Sequence, residues 1–206
     1  QEAEQKMICG MDEVGRGPLA GPVVASAVVL PSDFPVEILA DSKKLSEKKR
    51  MAACDIIMEK AVSWGTGWVW PFEIDEINIL NASLLAMKRA WEAMTVPVEP
   101  DRILVDGIYI PDIRTHIPME AVIKGDDKVH EIMAASIVAK PLRDLWMTRY
   151  SWIEDRYGFE KHKGYPTKAH RDAVEKYGLT PIHRKSFRIS FPDHGRGPGQ
   201  FSSQTC

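Results

Sequence analysis

Cysteine is scarce in this 206-residue chain: Cys9, Cys54 and Cys206 are odd in number, far apart and outside any Cys-x-x-Cys spacing. They imply neither a disulfide framework nor a zinc site. Long apolar runs are missing too, so no segment reads as a bilayer-spanning helix, and the polar residues 1–6 before a short strand-like run do not read as a signal peptide. The expectation is a monomer in the cytoplasm. No internal repeat is visible. A large net charge is also absent, but the total of −2 hides an asymmetry. Residues 156–196 hold ten Lys and Arg against four Asp and Glu, a surplus of +6 that leaves the remainder at −8. An acidic body with a basic C-terminal section suits a protein that holds cations in one place and a polyanion in another, although a solvated helical end would carry the same charges.

What is present is enough apolar material, 44% of residues, to bury a substantial core in one domain with a small appendage. Residues 7–11 and the Val-rich residues 22–30 read as strands that could pair antiparallel across a Gly-Arg-Gly turn. Ser46 is positioned as the N-cap of a helix to about Lys60, and residues 63–72 have the aromatic and β-branched content of a third strand. Over residues 73–94, Ile77, Leu80, Leu84, Met87 and Trp91 recur at spacings of three and four, which predicts a helix with one buried face. Residues 102–105 and 120–123 are short strands, and a helix follows over 130–150, with a kink expected at Pro141 because proline lacks the amide donor. A short helix over 167–177 lies in the basic section, and the end from residue 191 is expected to be disordered.

The stretch that organises these elements is Met11-Asp12-Glu13-Val14-Gly15-Arg16-Gly17-Pro18, two adjacent carboxylates at a strand end before a glycine turn. Asp106-Gly107 ends a later strand in the same way, and Gly125-Asp126-Asp127 follows another. An α/β domain with three sequential antiparallel strands and further short strands joined through helices would let Asp12, Glu13, Asp106 and Asp126 converge. Clustered carboxylates repel unless cations lie between them, which makes the set a natural oxygen-ligand site for Mg²⁺ or Mn²⁺. Two ions about 4 Å apart can activate a water on one side of a phosphodiester and stabilise the departing oxygen on the other. Taken singly, Asp106 or Asp126 reads equally as a loop carboxylate or a helix cap.

The combination is more specific than its parts. Asp12-Glu13-Val14-Gly15-Arg16-Gly17, Asp41-Ser42-Lys43-Lys44-Leu45, Val105-Asp106-Gly107, Lys124-Gly125-Asp126, Ala134-Ala135-Ser136-Ile137-Val138-Ala139-Lys140, Arg143-Asp144 and His162-Lys163-Gly164-Tyr165-Pro166-Thr167 occur in that order. The chain thereby resembles bacterial ribonuclease HII over nearly its whole length. An Asp in the fourth carboxylate position and a strand close to the first residue favour this type over ribonuclease HIII, which ends its quartet in Glu and carries an extra N-terminal domain. Pro141, where the family has a small aliphatic residue, is the main departure.

The resemblance implies a ribonuclease H-like fold, a mixed five-stranded sheet flanked by helices over residues 1–150, a helical substrate-binding appendage over 151–190 and a loose tail over 191–206. It implies a quartet of Asp12, Glu13, Asp106 and Asp126 holding two Mg²⁺ or Mn²⁺ ions. The activity it implies is cleavage of the RNA strand of RNA/DNA hybrids and nicking of duplex DNA on the 5′ side of a lone ribonucleotide, leaving 3′-hydroxyl and 5′-phosphate ends. Gly15, Arg16 and Gly17 can bring main-chain groups to the 2′-hydroxyl, the group that separates RNA from DNA. Tyr165 matches the family tyrosine that stacks on the deoxyribose 3′ to the ribonucleotide. Lys43, Lys44, Lys163 and Arg184 are candidate phosphate contacts, and Ser136 and Arg143 are candidate substrate-side positions. A non-catalytic binder of RNA/DNA hybrids is the alternative, and a small-molecule phosphatase a third reading that the basic section does not favour.

Overall fold

The computed structural model describes residues 6–40 and 44–191. Five strands, β1 (Ile8–Val14), β2 (Val23–Val29), β3 (Ser63–Val69), β4 (Arg102–Asp106) and β5 (Met119–Val122), form one sheet in the order β3-β2-β1-β4-β5. The first three pair antiparallel as expected, Asp12 facing Ser26 across β1 and β2, while β4 runs parallel to β1 and β5 parallel to β4. β1 and β4 therefore end side by side and point their last residues the same way. β2 is buried at all seven positions, which explains its unbroken Val and Ala content: both faces of the sheet are covered.

One face packs on α2 (Pro71–Glu92), burying Met11, Val69, Ile74, Ala86 and Ile103. The other packs on α1 (Glu47–Lys60) and α3 (His130–Tyr150), burying Val28, Cys54, Ile57, Ala134 and Val138. Ser46 caps α1 as expected, accepting a hydrogen bond from the Lys49 amide at 3.3 Å. The strand expected over 63–72 ends at Val69, because Pro71 opens α2, a first-turn position where its missing amide costs nothing. The long helix expected over 73–94 is interrupted at Asn78 (φ 68°), whose Oδ1 accepts from the Asn81 amide at 3.0 Å and starts the second part afresh. α3, by contrast, runs uninterrupted through Pro141, which is buried beside Arg50 and Met51 of α1. The helix therefore continues past the proline, with packing against α1 holding it across the lost donor.

β3 presents Gly65 and Gly67 to α2, and a Cβ at Gly67 would overlap the Ala86 carbonyl. Gly67→Ala is expected to destabilise the protein by about 1–3 kcal/mol by forcing helix from sheet, a loss that urea unfolding would measure.

A third cluster joins α3 to α4 (Phe159–His162) and α5 (Lys168–Tyr177) through Met147, Tyr157, Phe159, Val174 and Ile182. Thr167 caps α5, accepting from the His170 amide at 3.2 Å. Three buried imidazoles thread this cluster. The Thr180 amide donates to His183 Nδ1 (2.9 Å), so the His183 proton sits on Nε2 and points at His170 Nε2 (2.8 Å). His170 then donates from Nδ1 to the Tyr165 carbonyl at 3.0 Å, while His162 stacks on it at 4.3 Å. Burial, with the neighbouring imidazoles, pushes His170 and His183 down to about 4. Their folded-state values lie below the unfolded one, so the stability they contribute is present above about 6.5 and lost as pH falls towards 4. The stability read from urea unfolding is expected to fall across that window, and His170→Gln should flatten the fall. Among the described residues no helix is long and apolar enough to cross a membrane.

Candidate active site

The parallel pairing of β1 with β4 fixes the first three carboxylates. Met11 faces Val105, so the next residues of the two strands, Asp12 and Asp106, emerge together at the sheet's end, with Glu13 following Asp12. β5 runs alongside and leads through Lys124, in left-handed backbone (φ 53°), to a single 3-10 turn, Gly125–Asp127. That turn closes down on β4 because Gly125 has no side chain: a Cβ there would press on Ile132 and stand 3.4 Å from Asp106 Oδ1. Asp126 is delivered next to Asp106, donating from its amide to Asp106 Oδ1 at 3.3 Å.

The four carboxylates lie near enough to act on one another's charge. Asp12, 6% exposed, is raised well above the ordinary aspartate value, by burial first and then by the negative charges of Glu13, Asp106 and Asp126. Glu13 is raised too, burial outweighing the nearby Arg16 guanidinium at 3.6 Å. Glu13 Oε2 is buried without a hydrogen-bond partner, and so is the Ser26 hydroxyl, which stands on the same face of the sheet as Asp12 because the two residues pair directly. Buried polar atoms rarely go unpartnered, and a wall of repelling carboxylates with an orphaned oxygen fits oxygen-binding cations. The groups surround a shared space without closing on it: among the described residues no three acidic, His or Cys side chains are gathered tightly enough to clasp an ion unaided.

A cleft of about 340 Å³ opens beside this wall, lined by Glu13 and Asp126 together with Arg50, Ser136 and Lys140. Lys140 pairs with Asp144 at 3.0 Å and its amine stands 5.5 Å from the centre of the Tyr165 ring. Arg50 and Lys140 escaped notice as site residues in the sequence; the Ala-Lys motif was the one available signal for Lys140. On the rim, Gly15 (φ 94°) is packed from behind by Arg143, and a Cβ there would collide with it. Gly17 is exposed, and a Cβ on it would meet only Tyr165 Cε1, at 3.8 Å. The two glycines of the turn therefore differ: Gly15 is needed for packing inside, Gly17 leaves its outer face open beside the Tyr165 ring.

The remaining candidates divide. Arg16 is exposed on the turn, Ser136 lines the cleft while donating to the Met133 carbonyl at 2.8 Å, and Lys44 is exposed before α1. Lys43 lies outside the described residues, as does the tail beyond residue 191. Lys163 directs its amine inward, to Thr148 Oγ1 at 2.9 Å and the Glu160 carbonyl at 2.5 Å. Arg143 and Arg184, expected at the substrate, are buried and hydrogen-bonded to main-chain carbonyls, so neither guanidinium faces a phosphate.

Solved structures with this arrangement of strands include ribonuclease H2 from Pyrococcus horikoshii OT3, with a TM-score of 0.74 at 24% identity over 89% of this chain and 94% of that one. Another is Bst-RNase HIII in complex with Mn²⁺, with a TM-score of 0.66 at 19% identity over 84% of this chain and 63% of that one. The fold is thus that of the type 2 ribonucleases H, an α/β nuclease class. Sequence narrows it further. A family model described as Ribonuclease HII matches residues 9–192. Ribonuclease HII of Treponema denticola is 52% identical over 196 residues, covering 89% of this chain and 98% of the relative. Its counterpart from a Neisseria meningitidis serogroup A strain is 50% identical over 181 residues, covering 88% and 92%. The chain belongs to the ribonuclease HII family and is an endoribonuclease.

Proposed function

We propose that this endoribonuclease nicks duplex DNA on the 5′ side of an embedded ribonucleotide and cuts the RNA strand of RNA/DNA hybrids, leaving 3′-hydroxyl and 5′-phosphate ends. The observation that carries the reading is the Tyr165 ring beside the open face of Gly17, at the rim of the carboxylate wall. A ribose whose 2′-hydroxyl meets the main chain of the Gly15-Arg16-Gly17 turn leaves the next sugar over Tyr165, where a 2′-hydroxyl would obstruct stacking. The junction is then read by shape, and bases are not needed for recognition.

Asp12, Glu13, Asp106 and Asp126 would hold Mg²⁺ or Mn²⁺ on this reading. Bound there as a pair, such ions supply an activated water and charge stabilisation for the departing 3′ oxygen. The chain's own part is positional. Asp12 and Asp106, fixed by the strand register, set the floor; Asp126 and Glu13 flank the cleft; Lys140 and Arg50 give it a cationic side suited to a phosphate. Residues 151–190 would act as the appendage that carries Tyr165 and follows the duplex. The test is incubation with a DNA duplex containing one ribonucleotide, with and without Mg²⁺ or Mn²⁺. A metal-dependent nick 5′ to the ribonucleotide with the stated ends is expected, and its absence would reject the reading.

A further inference from the structure

Two arginines lie beneath the rim, between the Gly15-Arg16-Gly17 turn and the loop carrying Tyr165. Arg143 is 0% exposed and Arg184 1%. Among the described residues each hydrogen bond they donate goes to a main-chain carbonyl. Arg143 donates to Pro22 from Nε (2.8 Å), to Ala20 from Nη2 (3.0 Å) and to Lys163 from Nη1 (2.8 Å). Arg184 donates to Gly21 from Nε (3.0 Å), to Arg16 from Nη1 (3.0 Å) and to Gly15 from Nη2 (2.5 Å). Main-chain bonds add to these: Leu19 donates to the Gly164 carbonyl at 2.8 Å, across to the Tyr165 loop, while Gly21 donates to Ile182 at 2.9 Å and Arg184 to Leu19 at 2.8 Å, joining the segment after the turn to the one that carries Arg184.

Burying a guanidinium is costly, and burial pulls both below the ordinary arginine value, in Arg184 with the added effect of Arg143. An apolar side chain would fill either volume at lower cost, so the forked donor geometry is what these sites require. Each fork gathers three carbonyls. Arg143 ties Ala20 and Pro22, which follow the turn, to Lys163, which precedes Tyr165, while Arg184 holds the Gly15 and Arg16 carbonyls of the turn together with that of Gly21. With those carbonyls drawn inward, the turn keeps one orientation, and Gly17 keeps its distance from Tyr165. Arg143 also lies 5.7 Å from the centre of the Tyr165 ring.

We infer that Arg143 and Arg184 are positioning residues that lock the Gly15-Arg16-Gly17 turn to the Tyr165 loop and thereby set the selectivity for a ribonucleotide-deoxyribonucleotide junction over a continuous hybrid. The inference rests on the junction reading given above. Lysine keeps the charge but has a single donor head that cannot span three carbonyls. In Arg184→Lys and Arg143→Lys, kcat/KM on the single-ribonucleotide duplex should fall about a hundredfold, as misplacement by an ångström does, and by at least about tenfold more than on a continuous RNA/DNA hybrid. Mn²⁺ affinity by calorimetry should stay within about twofold, because the carboxylates are held by other elements.

An equal fall on both substrates, or no fall in a folded variant, overturns the inference. Should the lysine variants fail to fold, hydrogen exchange on the wild-type protein decides: the amides of Leu19, Gly21 and Arg184 should be protected on the order of a hundredfold or more, and free exchange would show the loops to be untied. A wild-type protein that does not nick the single-ribonucleotide duplex brings down the functional reading itself. Wild-type nicking with an unchanged substrate ratio in both variants brings down only the lock.

Discussion

Asp12→Asn is expected to lower metal-dependent cleavage by about a thousandfold or more, the loss of several kcal/mol of charge stabilisation at the reacting phosphate. The same substitution should make the metal-free protein more stable at neutral pH. Asp12 is buried against Glu13, Asp106 and Asp126, and its folded-state pKa lies above the unfolded value. The stability such a group contributes is present below the unfolded pKa and lost as pH rises through the folded one, so at neutral pH a titratable charge buried here is a liability. Asparagine removes that charge yet keeps an Oδ1 to accept from the Glu13 amide, the bond that Asp12 makes at 2.7 Å. Relief of about 1 kcal/mol would raise the melting temperature by roughly 3 °C. Added Mn²⁺ should stabilise the wild type far more than the variant. A variant that cleaves normally, or one that melts lower than wild type without metal, would remove Asp12 from the proposed quartet.

The second large effect is expected at Tyr165. Its backbone is fixed by hydrogen bonds that do not involve the ring: the amide donates to the His162 carbonyl at 2.9 Å and the carbonyl accepts from His170. Tyr165→Ala therefore removes a stacking surface and leaves the loop in place. Loss of about 1–3 kcal/mol of stacking should reduce kcat/KM for single-ribonucleotide nicking by roughly tenfold to a hundredfold. Tyr165→Phe should retain most of the activity, since stacking needs the ring face and not the hydroxyl. Calorimetric Mn²⁺ affinity should be unchanged in both. If metal affinity falls while nicking persists, the ring does not have this role.

Much of this was legible in the chain. Apolar runs that lead into Asp12-Glu13 and Asp106, each followed by a turn containing glycine, announced both the sheet and its carboxylates, because an apolar strand and an acidic end have opposite solvation needs. Element order pointed to their convergence, while the parallel register that brings Asp12 beside Asp106 came from the structure. Other features depended on contacts that local pattern does not encode. Asn78 interrupts α2 although the apolar spacing continues on either side, and only asparagine's tolerance of left-handed backbone hinted at it. Pro141 sits inside α3 because burial overrides the local preference. The basic C-terminal section was legible as charge but not as direction: Lys163 and Arg184 face inward, and the partners of Arg184 lie up to 169 residues away. The three linked imidazoles were likewise scattered in sequence and meet only in the packed cluster.

That separation sets an order of assembly. The sheet, its first three strands and the acidic ends of β1 and β4 can all form from the first half or so of the chain. The turn at residues 15–17 cannot take up its final orientation until Arg184 has been synthesised and has returned to it, because Gly15 and Arg16 have their carbonyls held from there. Closing so long a loop is entropically costly and is completed late. A growing chain on the ribosome, surrounded by RNA, would on the proposed reading carry Asp12, Glu13 and Asp106 before the turn that chooses a substrate was held. On the proposed reading, the choice of substrate waits for the C-terminal section to dock on the turn.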